Sequence, residues 1–262
     1  MTNITAPLFY LFFFVFGSCI GSFLNVCIYR IPKKESLIYP PSHCPNCQQP
    51  IRFYDNIPII SYLFLLGRCR WCGERISLRY PLIELITAIA FLGLYLKFGL
   101  SIQLFPYLIL FSGLITVSMI DLEYQIIPDR ISLPGIVIGL LTSLILPITF
   151  FESILGVLIG GGIFIIVIYL SKGGMGGGDI KLNAMIGAFL GWKMVLLTVF
   201  IGVFLGSIVG IVLLLLKIKG RKDPIPFGPF LSLGAVIAVF WGTQIIQWYF
   251  NYGAYNVRSI IR

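Results

Sequence analysis

Ten acidic residues occur in the 262-residue chain, few enough to weigh one at a time. Glu35, Asp55, Glu74 and Asp223 fall in polar stretches and Glu152 in a turn, where water would solvate them. Glu84, Asp121, Glu123, Asp129 and Asp179 remain. Asp121 directly follows the apolar run 104–120, and Asp179 follows the glycine-rich run Gly173-Gly174-Met175-Gly176-Gly177-Gly178. Two carboxyls brought together share one proton, because both cannot easily ionise side by side. The ionised one can deprotonate a water while the protonated one donates to a scissile carbonyl oxygen, which is aspartyl protease chemistry. The glycine run admits dihedrals that other residues avoid and lets an extended substrate backbone come close. Gly176, Gly178 and Lys181 are the candidate residues of that substrate loop. Taken singly, each feature has a plainer reading: Asp121 and Glu123 as interfacial charges, Asp179 as a helix N-cap, the glycines as a linker. A phosphate-binding loop is excluded, since Gly178 is followed by Asp179-Ile180-Lys181 rather than by Lys and Ser or Thr.

The second constellation is Cys44-Pro45-Asn46-Cys47 and Cys69-Arg70-Trp71-Cys72, two CxxC pairs with 21 residues between them. The spacing is close to that of a two-knuckle zinc site, in which each pair gives two thiolates to one tetrahedral ion. Four thiolates leave no open position for a metal-bound water, so the site reads as a staple for a stretch too short to bury a core. His43 could compete as a ligand, but four cysteines suffice. Cys19 and Cys27 lie in an apolar run and read as inert buried thiols.

The elements that must carry these groups are apolar. Hydrophobic residues make up 58% of the chain and charged ones 11%, and the mean hydropathy is +0.97. Both a soluble enzyme and a disordered chain are thereby excluded. Apolar runs fall roughly at 7–28, 81–96, 104–120, 131–148, 153–170, 182–192, 194–216 and 227–250. The sixth is too short for a bilayer core of about 30 Å unless it starts within the glycine run. With Lys193 near the middle of 182–216, a turn at residues 191–193 is expected; one long helix is the alternative. The expected fold is an all-α polytopic membrane protein of about eight transmembrane helices, with a cytoplasmic zinc-binding loop after the first.

Eight spans put both termini on one side. Fifteen of the 19 Lys and Arg residues then fall on the opposite side, among them Arg30, Lys33, Lys34, Arg52, Arg68, Arg70, Arg75, Arg79, Arg130, Lys172, Lys181, Lys217, Lys219, Arg221 and Lys222. Only Lys97, Lys193, Arg258 and Arg262 fall on the other. The positive-inside rule makes the fifteen-charge side cytoplasmic and both termini external. The net charge of +9 is thus an orientation signal, not a nucleic-acid footprint. The first run lacks a basic n-region and reads as a retained helix rather than a cleaved signal peptide. The expected division is a first helix (1–28), the four-cysteine loop (29–80), a second helix (81–100), a six-helix core (101–250) and a tail (251–262).

These residues resemble a known family. Gly176-Gly177-Gly178-Asp179 matches the GxGD motif of intramembrane aspartyl proteases, and Gly174-Met175-Gly176-Gly177-Gly178-Asp179-Ile180-Lys181 is similar to the type IV prepilin peptidases in particular. Asp121-Leu122-Glu123-Tyr124-Gln125-Ile126-Ile127-Pro128-Asp129 resembles the segment with their first catalytic aspartate. So do 21–32 (GSFLNVCIYRIP), both CxxC pairs and 79–84 (RYPLIE), over about residues 8–250. The resemblance implies Asp121 and Asp179 as catalytic residues of a peptidase in the bacterial inner membrane. It would cut a basic leader from prepilins or pseudopilins at the cytoplasmic face. The long cysteine loop goes with members that also methylate the new N-terminal amine from S-adenosylmethionine. Glu84 and the segment 21–25, with Asn25 in it, are candidates for that half by resemblance only. Cys44, Cys47, Cys69 and Cys72 are the implied Zn²⁺ ligands. No Rossmann-type GxGxxG follows a strand, so the methyl donor is not held in the usual way. Intramembrane acids beside broken glycine-rich segments would also suit an ion-coupled transporter. A non-catalytic membrane zinc module would explain the cysteines but not the aspartates.

Overall fold

A computed structural model describes residues 5–170, 176–220 and 223–260. Gly173, Gly174 and Met175 of the glycine run and the cations Lys172, Arg221, Lys222 and Arg262 lie outside the described residues. The described chain is helical: α1 (Thr5–Arg30), a 3₁₀ turn (Phe53–Asn56), α2 (Ile60–Phe64), α3 (Arg79–Phe98), α4 (Leu104–Tyr124), α5 (Asp129–Thr142), α6 (Phe150–Leu170), α7 (Gly177–Leu215) and α8 (Gly228–Ile260). Among the described residues, α1, α3, α4, α6, α7 and α8 are each long and apolar enough to cross a membrane. The chain is a multi-pass membrane protein.

The eight expected runs correspond to these helices once two departures are explained. The run 131–148 yields only the 14 residues of α5, about 21 Å long. Pro147, without an N–H, stops further helix, and 143–147 finish as turns. The second departure is α7, whose 39 residues cover two expected runs. Gly191 inside it is non-helical at φ 74°, ψ 174°. A Cβ built on Gly160 would lie 2.7 Å from the Asn183 carbonyl oxygen and 3.1 Å from Val195 Cγ2. In a straight helix those two positions would be about 18 Å apart, so α7 doubles back at Gly191. The turn expected at 191–193 is there, made by a residue free to adopt positive φ. The first limb starts at Gly177, not residue 182, which lengthens the short sixth span toward the glycine run.

The chain forms two compact units, Met1–Ile131 and Ser132–Arg262. In the first, α1 packs on α3 through Gly17 and Gly21. A Cβ on Gly21 would sit 2.7 Å from Glu84 Cα, and one on Gly17 would sit 2.8 Å from Ala88 Cα. Four-residue spacing puts both glycines on one face, the small-residue contact that lets helix backbones approach in lipid. Leu24, Cys27, Ile28, Ile31, Ile83 and Ile120 close the core beneath that crossing. Cys27 is therefore buried as expected, whereas Cys19 is on an exposed face of α1. Phe98 stacks on Tyr107 at 4.6 Å and joins α3 to α4.

In the second unit, α6 lies against the first limb of α7 and α8 against the second. A Cβ on Gly187 would run into the Gly156 carbonyl group. Two hydrogen bonds cross the same interface, Ser153 Oγ to the Ala188 carbonyl at 2.6 Å and Asn183 Nδ2 to the Gly160 carbonyl at 2.8 Å. Gly135 and Gly139 of α5 meet Met185 and Ala188 on the same limb. Gly187→Val is expected to destabilise the protein by roughly 1–3 kcal/mol or to prevent folding, because its obstacle is backbone. Gly162→Ala, whose Cβ would meet nothing within 4 Å, is expected to be neutral or slightly stabilising. Thermal unfolding of both variants in the same detergent measures the contrast.

Candidate active site and metal centre

The four sulfurs of Cys44, Cys47, Cys69 and Cys72 lie within 4.8 Å of one another. Cys44 and Cys72 are 3.8 Å apart and Cys47 and Cys69 are 4.0 Å apart. A tetrahedron of thiolates about 2.3 Å from a central ion has edges of about 3.8 Å, so the cluster can hold a metal ion. All six cysteines are free thiols. Both knuckles use the same turn. The Cys44 N–H reaches the Gln49 carbonyl and the Gln48 N–H returns to the Cys44 carbonyl; Cys69 does the same with Glu74 and Gly73. Gln48 and Gly73 both take positive φ, 60° and 71°. Backbone N–H groups of Cys72 and Trp71 point at the Cys69 sulfur and pull its pKa down to about 7. His43 bonds through Nδ1 to the Pro41 carbonyl and is not one of the four ligands.

Asp55, read from the sequence as solvated, is instead gripped by Arg70. Nε meets Oδ2 at 2.8 Å and the guanidinium tip meets Oδ1 at 2.5 Å. The Arg70 guanidinium holds the Asp55 carboxyl below the usual carboxylate range. Arg52 lies over the Trp71 ring at 4.7 Å. The loop is thus organised around the second knuckle.

Where α1 crosses α3, Asn25 and Glu84 are both buried. Asn25 Nδ2 donates to the carbonyls of Gly21 and Tyr80 at 3.2 and 3.1 Å. Its Oδ1 is buried with no hydrogen-bond partner among the described residues. Glu84 Oε2 accepts the Ile59 N–H at 2.7 Å, and the Ser22 side chain interacts with the same carboxyl group. Ile59 sits at φ 63°, a costly conformation for a β-branched residue, and its bond to the Glu84 carboxyl helps to hold it. Glu84 therefore joins α1, α3 and the loop. Gly21 and Ser22 at this crossing belong to the segment 21–25 already marked from the sequence, whereas Ile59 was not foreseen.

Asp121 is in the last turn of α4 and only 5% exposed. Gln125, at φ 55°, ends the helix and returns its N–H to the Asp121 carbonyl at 2.9 Å. Glu123, two residues on, points to another face and pairs with Arg79 at the start of α3. That ion pair was not foreseen; Arg79 had counted as an orientation charge and as the start of the 79–84 segment. In the second unit, Asp179 is 7% exposed in the first turn of α7. The N-cap is Gly176, with extended backbone at φ −75°, ψ 140°. Asp179 is therefore not the N-cap but three residues inside, where the helix N-terminus favours a negative charge. Gly176 is exposed, while Gly178 and Lys181 are partly buried on the same turn. The structure so brings together the four cysteines in one place, Asn25 with Glu84 in another, and Asp179 with Gly176, Gly178 and Lys181 in a third.

Thiolates, not thiols, bind metal. Metal content should therefore fall on acidification, as protons compete with the ion for the four sulfurs. Titrating purified protein with a zinc indicator checks this, and Cys72→Ser should bind more weakly at every pH.

Residues 15–98 match a family model described as the bacterial peptidase A24 N-terminal domain, and residues 108–211 match one described as the type IV leader peptidase family. A prepilin leader peptidase/N-methyltransferase of Bacillus subtilis is 37% identical over 237 residues, covering 90% of this chain and 96% of the relative. Proteins of the same description from Pseudomonas aeruginosa and Legionella pneumophila are 35% and 36% identical. They cover 92% and 93% of this chain and 93% and 95% of the relatives. No solved structure matches. The chain belongs to the type IV leader peptidase family.

Proposed function

We propose that the protein is a membrane-embedded aspartyl endopeptidase that removes the basic leader from type IV prepilins or pseudopilins and N-methylates the newly exposed residue. The observation that carries the peptidase half is the pair of buried aspartates, Asp121 in the last turn of α4 and Asp179 in the first turn of α7, each beside a loop. The relatives' shared description supports the same reading. In the reaction, one ionised aspartate takes a proton from water as its oxygen bonds to the scissile carbonyl carbon. The other, protonated, donates to the carbonyl oxygen. Collapse of the tetrahedral intermediate breaks the C–N bond, and the leaving amine takes up a proton. No covalent enzyme intermediate is needed. Gly176 and Gly178 leave room for the substrate backbone beside Asp179, with Lys181 on the same turn.

For methyl transfer, S-adenosylmethionine would supply an electrophilic methyl group. Asn25 and Glu84 are the residues assigned to that half, and the buried, unpaired Oδ1 of Asn25 fits an acceptor that waits for a ligand donor. Glu84 acts there by holding the loop against the helices. In the cysteine loop the bound ion is Zn²⁺, in a structural role. The charge distribution supports an inner-membrane orientation with the loop and both aspartates cytoplasmic and both termini external. The peptidase core is 101–250, preceded by the first helix (1–28), the loop (29–80) and the second helix (81–100), and followed by the tail 251–262.

Intact-mass measurement on a prepilin tests both halves. Asp121→Asn and Asp179→Asn should each lower the cleavage rate by about 10²–10⁴-fold or more, with the helical signal unchanged. Asn25→Leu should leave leader removal in place and eliminate the added methyl mass. Cleavage that persists in both aspartate variants would refute the dyad. A folded protein that cleaves no prepilin would direct attention to an ion-flux assay.

A further inference from the structure

The loop between α1 and α3 is polar in overall composition, yet residues 57–66 read Ile-Pro-Ile-Ile-Ser-Tyr-Leu-Phe-Leu-Leu. Its polar groups turn inward. Ser61 Oγ donates to the Tyr54 carbonyl at 2.8 Å and accepts the Ile57 N–H at 3.0 Å. The Tyr62 hydroxyl donates to the Ile76 carbonyl at 3.3 Å. The outward face carries Ile60, Leu63, Phe64 and Leu66, and the last two are each 85% exposed. Polar inside and apolar outside is the reverse of a water-facing module. A 10-residue apolar stretch is the length of an interfacial or re-entrant segment rather than a span.

The depth of this segment follows from one hydrogen bond. The Ile59 N–H is 2.7 Å from Glu84 Oε2. Glu84 lies five residues past the start of α3, about 7.5 Å along its axis. The start of α2 is therefore level with the exposed Leu82, Leu85 and Ile86 of a membrane-spanning helix. The exposed apolar residues of 57–66 and those of α3 thus lie near one depth. Nearby are the exposed Arg52, Arg68 and Arg75, the last two opposed across a backbone bridge. Their charge complements anionic headgroups.

We propose that residues 57–66 insert into the headgroup–acyl boundary of the bilayer, with Leu63, Phe64 and Leu66 among the acyl chains and Arg68 and Arg75 against lipid phosphates. The metal centre is thereby held at the membrane surface rather than free in water.

The test uses the full chain in vesicles of phosphatidylcholine and phosphatidylglycerol. A fluorescent amino acid replaces Phe64, Leu66 or, as a control in the first knuckle, Gln48. Quenchers are acyl-brominated lipid from the membrane side and iodide from water. Labels at 64 and 66 should be quenched severalfold more by brominated lipid than the label at 48, and should be shielded from iodide. Iodide access at 64 and 66 equal to that at 48 would overturn the proposal. Shielding of 64 and 66 from both quenchers would also overturn it, by showing that a second copy of the chain or another protein covers the face. Metal content of each labelled protein reports that the loop has folded. A label at Leu63, itself 65% exposed, is read the same way if a variant loses its metal.

Discussion

Apolar side chains gain little by leaving hydrocarbon for another helix, so membrane helices associate by fitting closely and by pairing the few polar groups they carry. This protein meets that constraint with glycine. Gly17 and Gly21 bring α1 onto α3, and Gly156, Gly160 and Gly187 bring α6 onto the first limb of α7. At these points the partner is backbone or a Cβ, so the helices touch where side chains would have held them apart. The positions of the buried polar residues follow from these contacts. Glu84 is where it is because its own Cα rests against Gly21, and Asn183 reaches the Gly160 carbonyl because no side chain intervenes.

Close packing also sets how polar groups are satisfied. Ser153, Thr87, Thr116 and Thr198 spend their hydroxyls on helix carbonyls, which a dry interior requires. Among the described residues Asn25 Oδ1 and Asn183 Oδ1 are buried without a hydrogen-bond partner, and the carboxylates of Asp121 and Asp179 are almost removed from solvent. Burial of two aspartates at helix ends in a chain with so few charges is the feature on which the proposed peptidase activity rests.

Much of this was legible in the sequence because spacing encodes it directly. Four cysteines in two CxxC pairs can close on one ion only by folding the loop between them, and the structure does so. The turn at residue 191 could be read from a glycine beside Lys193 in an otherwise apolar stretch. What could not be read depends on register in three dimensions. The Arg79–Glu123 pair joins residues 44 positions apart. The inversion of 57–66 depends on which way Ser61 and Tyr62 turn, and alternation alone does not say. Pro147 shortened α5 against an unbroken hydropathy signal. The cap reading weighed for Asp179 falls because the cap is Gly176, which has no side chain to announce it.

The bond from Asn25 to the Tyr80 carbonyl joins the two feet of the cysteine loop. The chain leaves the membrane and comes back at nearly the same spot after some fifty residues, so the loop is an insert that the α1–α3 pair does not need in order to close. Inserts of that kind can be lengthened, exchanged or lost with small cost in chain entropy. Glu84 sets the condition on such a loss. It is buried against Gly21, and its hydrogen-bond donor Ile59 belongs to the insert. A descendant that discarded the loop would strand a buried carboxylate, and the two would have to disappear together.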